Sequence, residues 1–428
     1  MESDALRFTK SSTTQFIVTF ILAFLASLEG QEVKPSTEIH SQFDGHFRPS
    51  DLPGMDEAYM PTLFPSSHAA NLLVLKNGDT LCFWFSGAGE GHSNGIAMSR
   101  LAKESQQWST PIEVDHQDAR SFQNPVAFQV ASGRIWLLHT SQVAGQWQTK
   151  ATVEYVTSGD DGKTWSKAKT LFGKPGSFVR QPPILLDEKH WLLPIYYTPS
   201  RSITDGAESN YSAVKLTTDA GAHWQECAIP KSEGLVQHSI LKLSSNHFVG
   251  FFRSRYADFI YQNASDDGCE WTVPLPMSLP NNNSSVQAAL LRDGSIVIAF
   301  NNSSAGKARD TPRTAARKPL SIALSTDGGT TWPWVRDIET GMPEKAEGQG
   351  NKSDEYSYPS VVQDAVGQIH VAYTYHHRTI KVVRFSKDWI RHGNAAPDAK
   401  SERKESTKPC RIQLTTTISS LRLGLRPW

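Results

Sequence analysis

One short pattern, repeated along the chain, restricts the fold more than any other feature. Ser325, Asp327, Gly329, Thr331 and Trp332 stand in the order S-x-D-x-G-x-T-W, and the same order recurs at Ser158 to Trp165, Thr217 to Trp224 and, more loosely, Ala264 to Trp271. Each copy reads as a hairpin tip. An Asp (Asp160, Asp219, Asp266 and Asp327 in turn) accepts hydrogen bonds from turn amides, a Gly takes a positive φ, and a Trp opens the returning strand. Weaker copies end at Trp108 and Trp389, so successive tryptophans fall 57, 59, 47, 61 and 57 residues apart. That period suits a four-stranded sheet repeated around an axis, and the count predicts an all-β, six-bladed β-propeller.

Strand patterns fill the intervals. Asn71 to Leu75 and Thr80 to Phe85 flank the turn at Asn77 and Gly78, and comparable pairs follow at Pro125 to Thr140, Pro183 to Tyr197, Ser239 to Phe252, Val286 to Phe300 and Ser360 to Tyr375. Residues 61–393 are therefore assigned to one propeller, and residues 31–60 are expected to donate the strand that closes it. In such a ring the lead-in to each inner strand and the loop between strands two and three meet at one mouth of the central channel.

The remaining segments are read from composition. Residues 1–30 hold a 13-residue apolar run, Phe16 to Leu28, too short for an ordinary membrane span and suited to a secretory leader. Secretion is the expectation, with no stable membrane insertion. Seven N-x-S/T sequons accord with it. Residues 394–428 lose the strand pattern and read as a loosely attached tail. Lys plus Arg equals Asp plus Glu at 43 each, which gives no net field for nucleic acid. The four cysteines have no metal-binding spacing, and a bridge between Cys227 and Cys269 stays open because each lies near a repeat Trp. Neither a metal nor another cofactor is expected.

The repeat resembles the Asp box of the sialidase (neuraminidase) superfamily, and the resemblance spans Pro61 to Gly393. It implies a glycan or glycoconjugate partner and a glycoside hydrolase resembling an exo-α-sialidase, which removes a terminal acidic sugar. In that family three Arg clamp the substrate carboxylate, a Tyr activated by a Glu attacks the anomeric carbon, and an Asp acts as acid and base. The boxes themselves lie on the rim away from this chemistry.

By that resemblance Arg253 and Arg317 match two of the three Arg, and Tyr356, or else Tyr358, matches the nucleophile. His68 stands where the first Arg would be. The loop that should carry the acid/base Asp offers Asn94 and Glu90, and the activating Glu aligns with Gln237 or His238. The other strand lead-ins are also polar, which adds Arg180, Asn124, Asn283 and Gln287 as substrate-binding candidates. Arg253, Arg317 and Arg180 would then hold the anion, Tyr356 or Tyr358 would attack, and Glu90 or His68 would supply the proton. Loss of the Asp and Glu leaves three rivals: a non-catalytic carbohydrate-binding propeller, a uronate-directed lyase with a His base, and a protein-binding scaffold.

Overall fold

The computed structural model describes residues 42–146, 148–199, 209–309, 311–341 and 355–393. The leader at 1–30, residues 31–41, the sequon at Asn351 and the tail at 394–428 lie outside the described residues. Six antiparallel sheets follow one another around an axis, each with its first strand innermost. Blade one, for instance, runs Ser66–Val74, Thr80–Gly87, Asn94–Leu101 and Ile112–Asp115. In blade three the inner strand is broken into Ser177–Phe178 and Ile184–Leu185.

The ring closes through its N-terminal part. Met55–Tyr59 pairs antiparallel with Thr379–Phe385, the third strand of blade six, with Met55 opposite Phe385 and Tyr59 opposite Lys381. This strand covers an edge that would otherwise present unpaired backbone groups.

Packing is circumferential because each sheet buries both faces against its neighbours. Blades one and two share Leu81, Phe83, Phe122 and Ile135, whereas blades four and five share Phe251, Ile298, Phe300 and Trp332. Blade six and the closing strand meet blade one through Met60, Trp84 and Val382. Each fully buried large side chain contributes about 1.5–3 kcal/mol relative to exposure. No helix among the described residues is long and apolar enough to cross a membrane.

The repeats form the expected hairpin tips, with one correction. In the first, Ser158 donates to Asp160 at 2.7 Å, and Asp160 accepts from the Thr164 amide and hydroxyl at 2.9 and 2.6 Å. In blade four the operative acid is Asp267 rather than Asp266. Ser265 donates to Asp267 at 3.0 Å, Asp267 accepts from the amides of Cys269 and Glu270, and Asp266 instead meets His247. This tip is one residue shorter, so the pattern slips by one. Gly268 is obligatory there: its φ is +80°, and a Cβ would lie 2.4 Å from Leu192 Cδ1. Beside it Cys269 is bridged to Cys227, tying the outer strand of blade three to blade four.

Candidate functional site

The mouth of the channel is shaped by a repeated irregularity in the inner strands. Strand pairing slips between His68 and Asn71, Gln123 and Val126, Val236 and Ser239, and Ser357 and Ser360. At each slip one residue is left-handed: Ala69 (φ 62°), Asn124 (51°), Gln237 (59°) and Tyr358 (53°); Asn283 (65°) does the same ahead of blade five. A bulge with an αL residue re-aims a side chain. For Gln and Tyr the conformation costs on the order of 1 kcal/mol or more, a strain that clusters at functional sites.

Tyr358 is the centre of the arrangement. Arg253 Nη1 donates to its hydroxyl at 2.6 Å, and the guanidinium carbons of Arg180, Arg253 and Arg317 lie 5.3, 5.6 and 5.5 Å from its ring centre. Burial pushes the phenol pKa up, but the positive charges of Arg253, Arg317 and Arg255 outweigh that and the nearby Glu90, and hold it below the usual phenol range. Arg253 is itself fixed. Its Nε donates to Asn283 Oδ1 at 2.9 Å and its Nη1 also to Gln237 Oε1 at 3.3 Å. Asn124 and Gln237 both reach the hydroxyl of Tyr196, at 3.4 and 3.5 Å.

Beside Tyr358 lies a second group. The His68 ring packs 4.4 Å from Tyr358 and stacks 4.3 Å from His377, and His68 Nδ1 meets the Thr374 hydroxyl at 2.8 Å. His377 Nε2 bonds Glu355 Oε1 at 2.9 Å, and the same carboxylate pairs with Arg317 and accepts from Ser357 at 2.6 Å. Burial opposes ionisation of Glu355, but His377 and Arg317 overcome it and its pKa falls well below the carboxylate range. His68 goes the other way: burial, with His377 beside it, keeps it neutral.

His68, Glu355 and His377 also place three ligating atoms within 4.8 Å of one another. The two rings lie only 23° from parallel, however, so their in-plane lone pairs run side by side rather than converging as a tetrahedral metal demands. The group is better described as a hydrogen-bonded carboxylate and imidazole pair.

Several sequence candidates fall elsewhere. Tyr356 is 3 % exposed and packs against Tyr375 and His376 in the core between blades five and six, because the bulge separates it from Tyr358. His238 lies inside blade four, stacked 4.0 Å from Phe252 and bonded to Asn263, in space that only a glycine at position 250 leaves free. Burial lowers its pKa to about 3. Gln287 is consumed by Ser360, the Val361 amide and Gln181.

Arg180 is no substrate clamp either. Its guanidinium donates to the carbonyls of Ala70, Tyr358 and Pro359 and to the Ser285 hydroxyl, joining blades three, one, six and five at the axis. His68, 2 % exposed, forms the floor of the site and is not placed to hand a proton to a substrate. Asn94 is spent on Gly89, Ser121 and the Phe122 amide. Glu90 sits exposed on the loop above, within the electrostatic reach of Arg255, Arg317 and Tyr358. Asn124 and Asn283 are at the mouth, where they orient Tyr196 and Arg253.

Glu355, His377, Tyr196 and Arg255 are site residues that the sequence pattern does not single out, and Gln237 enters there only as the alternative to His238. Two signals were present: Arg253 and Arg255 share the period-two face of one strand end, and His377 occupies the strand two to three turn of blade six, a mouth position by topology.

The BNR repeat-like domain matches residues 78–371. No curated protein sequence matches the chain. Among solved structures, the chain is similar to the Hadza microbial sialidase Hz136 (TM-score 0.61, 14 % identity, 76 % of this chain and 66 % of that one). It is also similar to the NanB sialidase from Streptococcus pneumoniae (0.59, 13 %, 84 % and 71 %) and the intramolecular trans-sialidase from Ruminococcus gnavus (0.58, 13 %, 77 % and 96 %). The chain thus spans just under two thirds of the Hadza enzyme, and identities this low establish a common fold and no more.

Proposed function

The chain belongs to the BNR repeat-like domain family on a sialidase-like propeller, and we propose that it is a carbohydrate-active enzyme that breaks a glycosidic linkage at a carboxylate-bearing sugar. The observation that carries this reading is Tyr358, held by Arg253 and bracketed by Arg317 at a polar channel mouth. Guanidinium groups offer paired planar donors to a carboxylate, and Arg253 arrives already oriented by Asn283 and Gln237. A protein-binding scaffold has no use for a phenol whose pKa is pulled down in a strained backbone position.

Removal of a terminal acidic sugar by hydrolysis, the route the sialidase resemblance implies, would use Tyr358 as nucleophile and Glu90 as the proton donor. Of the two residues that align with the activating Glu, Gln237 hydrogen-bonds Arg253 and cannot take a proton from Tyr358, and His238 is stacked on Phe252 inside blade four. A binding propeller without turnover is the reading that competes. The test is release of sugar from a panel of sialosides and uronosides by the purified protein and its Tyr358→Phe variant. Cleavage lost in the variant supports an enzyme centred on Tyr358; glycan binding with no cleavage of any member supports the lectin.

Secretion belongs with the proposal, because a Cys227–Cys269 bridge persists in an oxidising compartment. Recovery of the full-length protein from the cytosol, with both thiols free, would contradict it.

A further inference from the structure

Resting on the carbohydrate-cleaving reading, we propose that this site breaks its linkage by β-elimination at a 4-linked hexuronate, with Tyr358 as the base and His377, held by Glu355, as the acid.

The argument starts from what surrounds the phenol. In a hydrolytic site of this architecture a carboxylate base keeps the Tyr neutral until it attacks. Here the partner of the Tyr358 hydroxyl is Arg253 Nη1, a donor with no acceptor capacity, at 2.6 Å. The hydroxyl oxygen is therefore an acceptor in its strongest hydrogen bond, the condition that favours phenolate. A phenolate is poorly suited to attack an anomeric carbon that bears its own carboxylate, since the two anions repel. As a base towards the carbon next to a carboxylate it has no such handicap, provided that the carboxylate is neutralised. Arg317 borders the same ring, Arg255 acts on it electrostatically, and both supply that charge.

The second requirement is an acid for the departing oxygen. His377 is 35 % exposed, its Nε2 is engaged by Glu355, and Nδ1 is the nitrogen left to meet a ligand. A carboxylate-bound imidazole is oriented for proton transfer in the same way as in other acid–base pairs. Tyr358 and His377 both flank His68, at 4.4 and 4.3 Å between ring centres, so base and acid border one common side chain.

The step balances without a co-reactant. The C5–H bond breaks and its proton goes to the Tyr358 oxygen; the electron pair forms the C4–C5 double bond; the C4–O bond breaks, and the leaving oxygen takes a proton from His377. Proton exchange with solvent then restores both groups. Nothing is oxidised or reduced.

The test incubates the full chain with oligosaccharides of polygalacturonate, alginate, chondroitin and heparosan, alongside sialyllactose, in water enriched in heavy oxygen, and analyses the products by mass spectrometry. The proposal predicts an unsaturated uronate product, lighter by one water than a hydrolysis product and free of solvent oxygen. Tyr358→Phe and His377→Ala should each lower the elimination rate by roughly 100-fold or more, and Glu355→Gln should lower kcat while leaving KM within a few-fold. Products carrying heavy oxygen at the new reducing end overturn elimination and keep the carbohydrate-cleaving reading as hydrolysis. No cleavage of any member, by a protein whose circular dichroism shows folded β-structure, overturns both.

Discussion

Arg253 Nη1 donates to the hydroxyl of Tyr358 across 2.6 Å, linking the end of the second strand of blade four to the left-handed bulge of blade six. The pair brings a positive charge and a titratable phenol into one hydrogen bond at the channel mouth. Replacing Arg253 by Lys keeps the charge but loses the fork that also engages Asn283 and Gln237. The expected result is at least a tenfold loss of affinity for a carboxylated glycan, on the order of 1.4 kcal/mol or more, with folding intact. Isothermal titration beside a thermal melt checks it.

The pH dependence of turnover has a definite sign. Burial acts against the Tyr358 phenolate, whereas Arg253, Arg317 and Arg255 favour it more strongly, with Glu90 opposing them from the loop above. If the phenolate is the working form, kcat rises with pH through a pKa below that of an ordinary phenol. Neutralising Glu90 by Glu90→Gln removes a nearby negative charge and shifts this limb to lower pH. A pH–rate profile that is flat, or that falls over this limb, contradicts the assignment.

His238 contributes to acid stability rather than to chemistry. Its folded pKa is about 3 against 6.5 when unfolded, so between those values the unfolded chain binds a proton that the folded chain refuses. Stability therefore falls as pH drops from about 6.5 towards 3, by up to roughly 4–5 kcal/mol from this residue. His238→Gln, which can still meet Asn263, should flatten the decline in melting temperature between neutral and acid pH. An unchanged slope would assign the acid sensitivity elsewhere.

The bridge between Cys227 and Cys269 closes a loop with a sequence separation of 42 residues. Its removal by Cys227→Ser and Cys269→Ser together should lower stability by about 2–4 kcal/mol, measured by denaturant unfolding, while glycan cleavage at the opposite side of blade four persists.

How much of this was legible beforehand differs between rim and mouth. The hairpin tips depend on local rules, an Asp accepting turn amides and a Gly at positive φ, so their spacing alone reports the number of blades; even there the insertion state of the tip at Asp267 escaped the pattern. The mouth depends on side chains from four blades converging after left-handed bulges, and strand periodicity assumes that no bulge is present. Thus Tyr356 and Tyr358, two apart, would share a face in a regular strand, yet one enters the core and the other the channel. Arg180 could not be distinguished from a substrate clamp, because the carbonyls that occupy it come from residues more than 100 positions away. His377 was reachable through topology, since its turn had to lie at the mouth.

The most direct measurement is cleavage of a carboxylated oligosaccharide compared with the same oligosaccharide after its carboxyl groups have been reduced to alcohols. The account predicts turnover of the first and none of the second, with turnover of the first lost in Arg253→Met. Equal turnover of both, or glycan binding that ignores Arg253, would contradict a mouth built around Tyr358 to receive an acidic sugar.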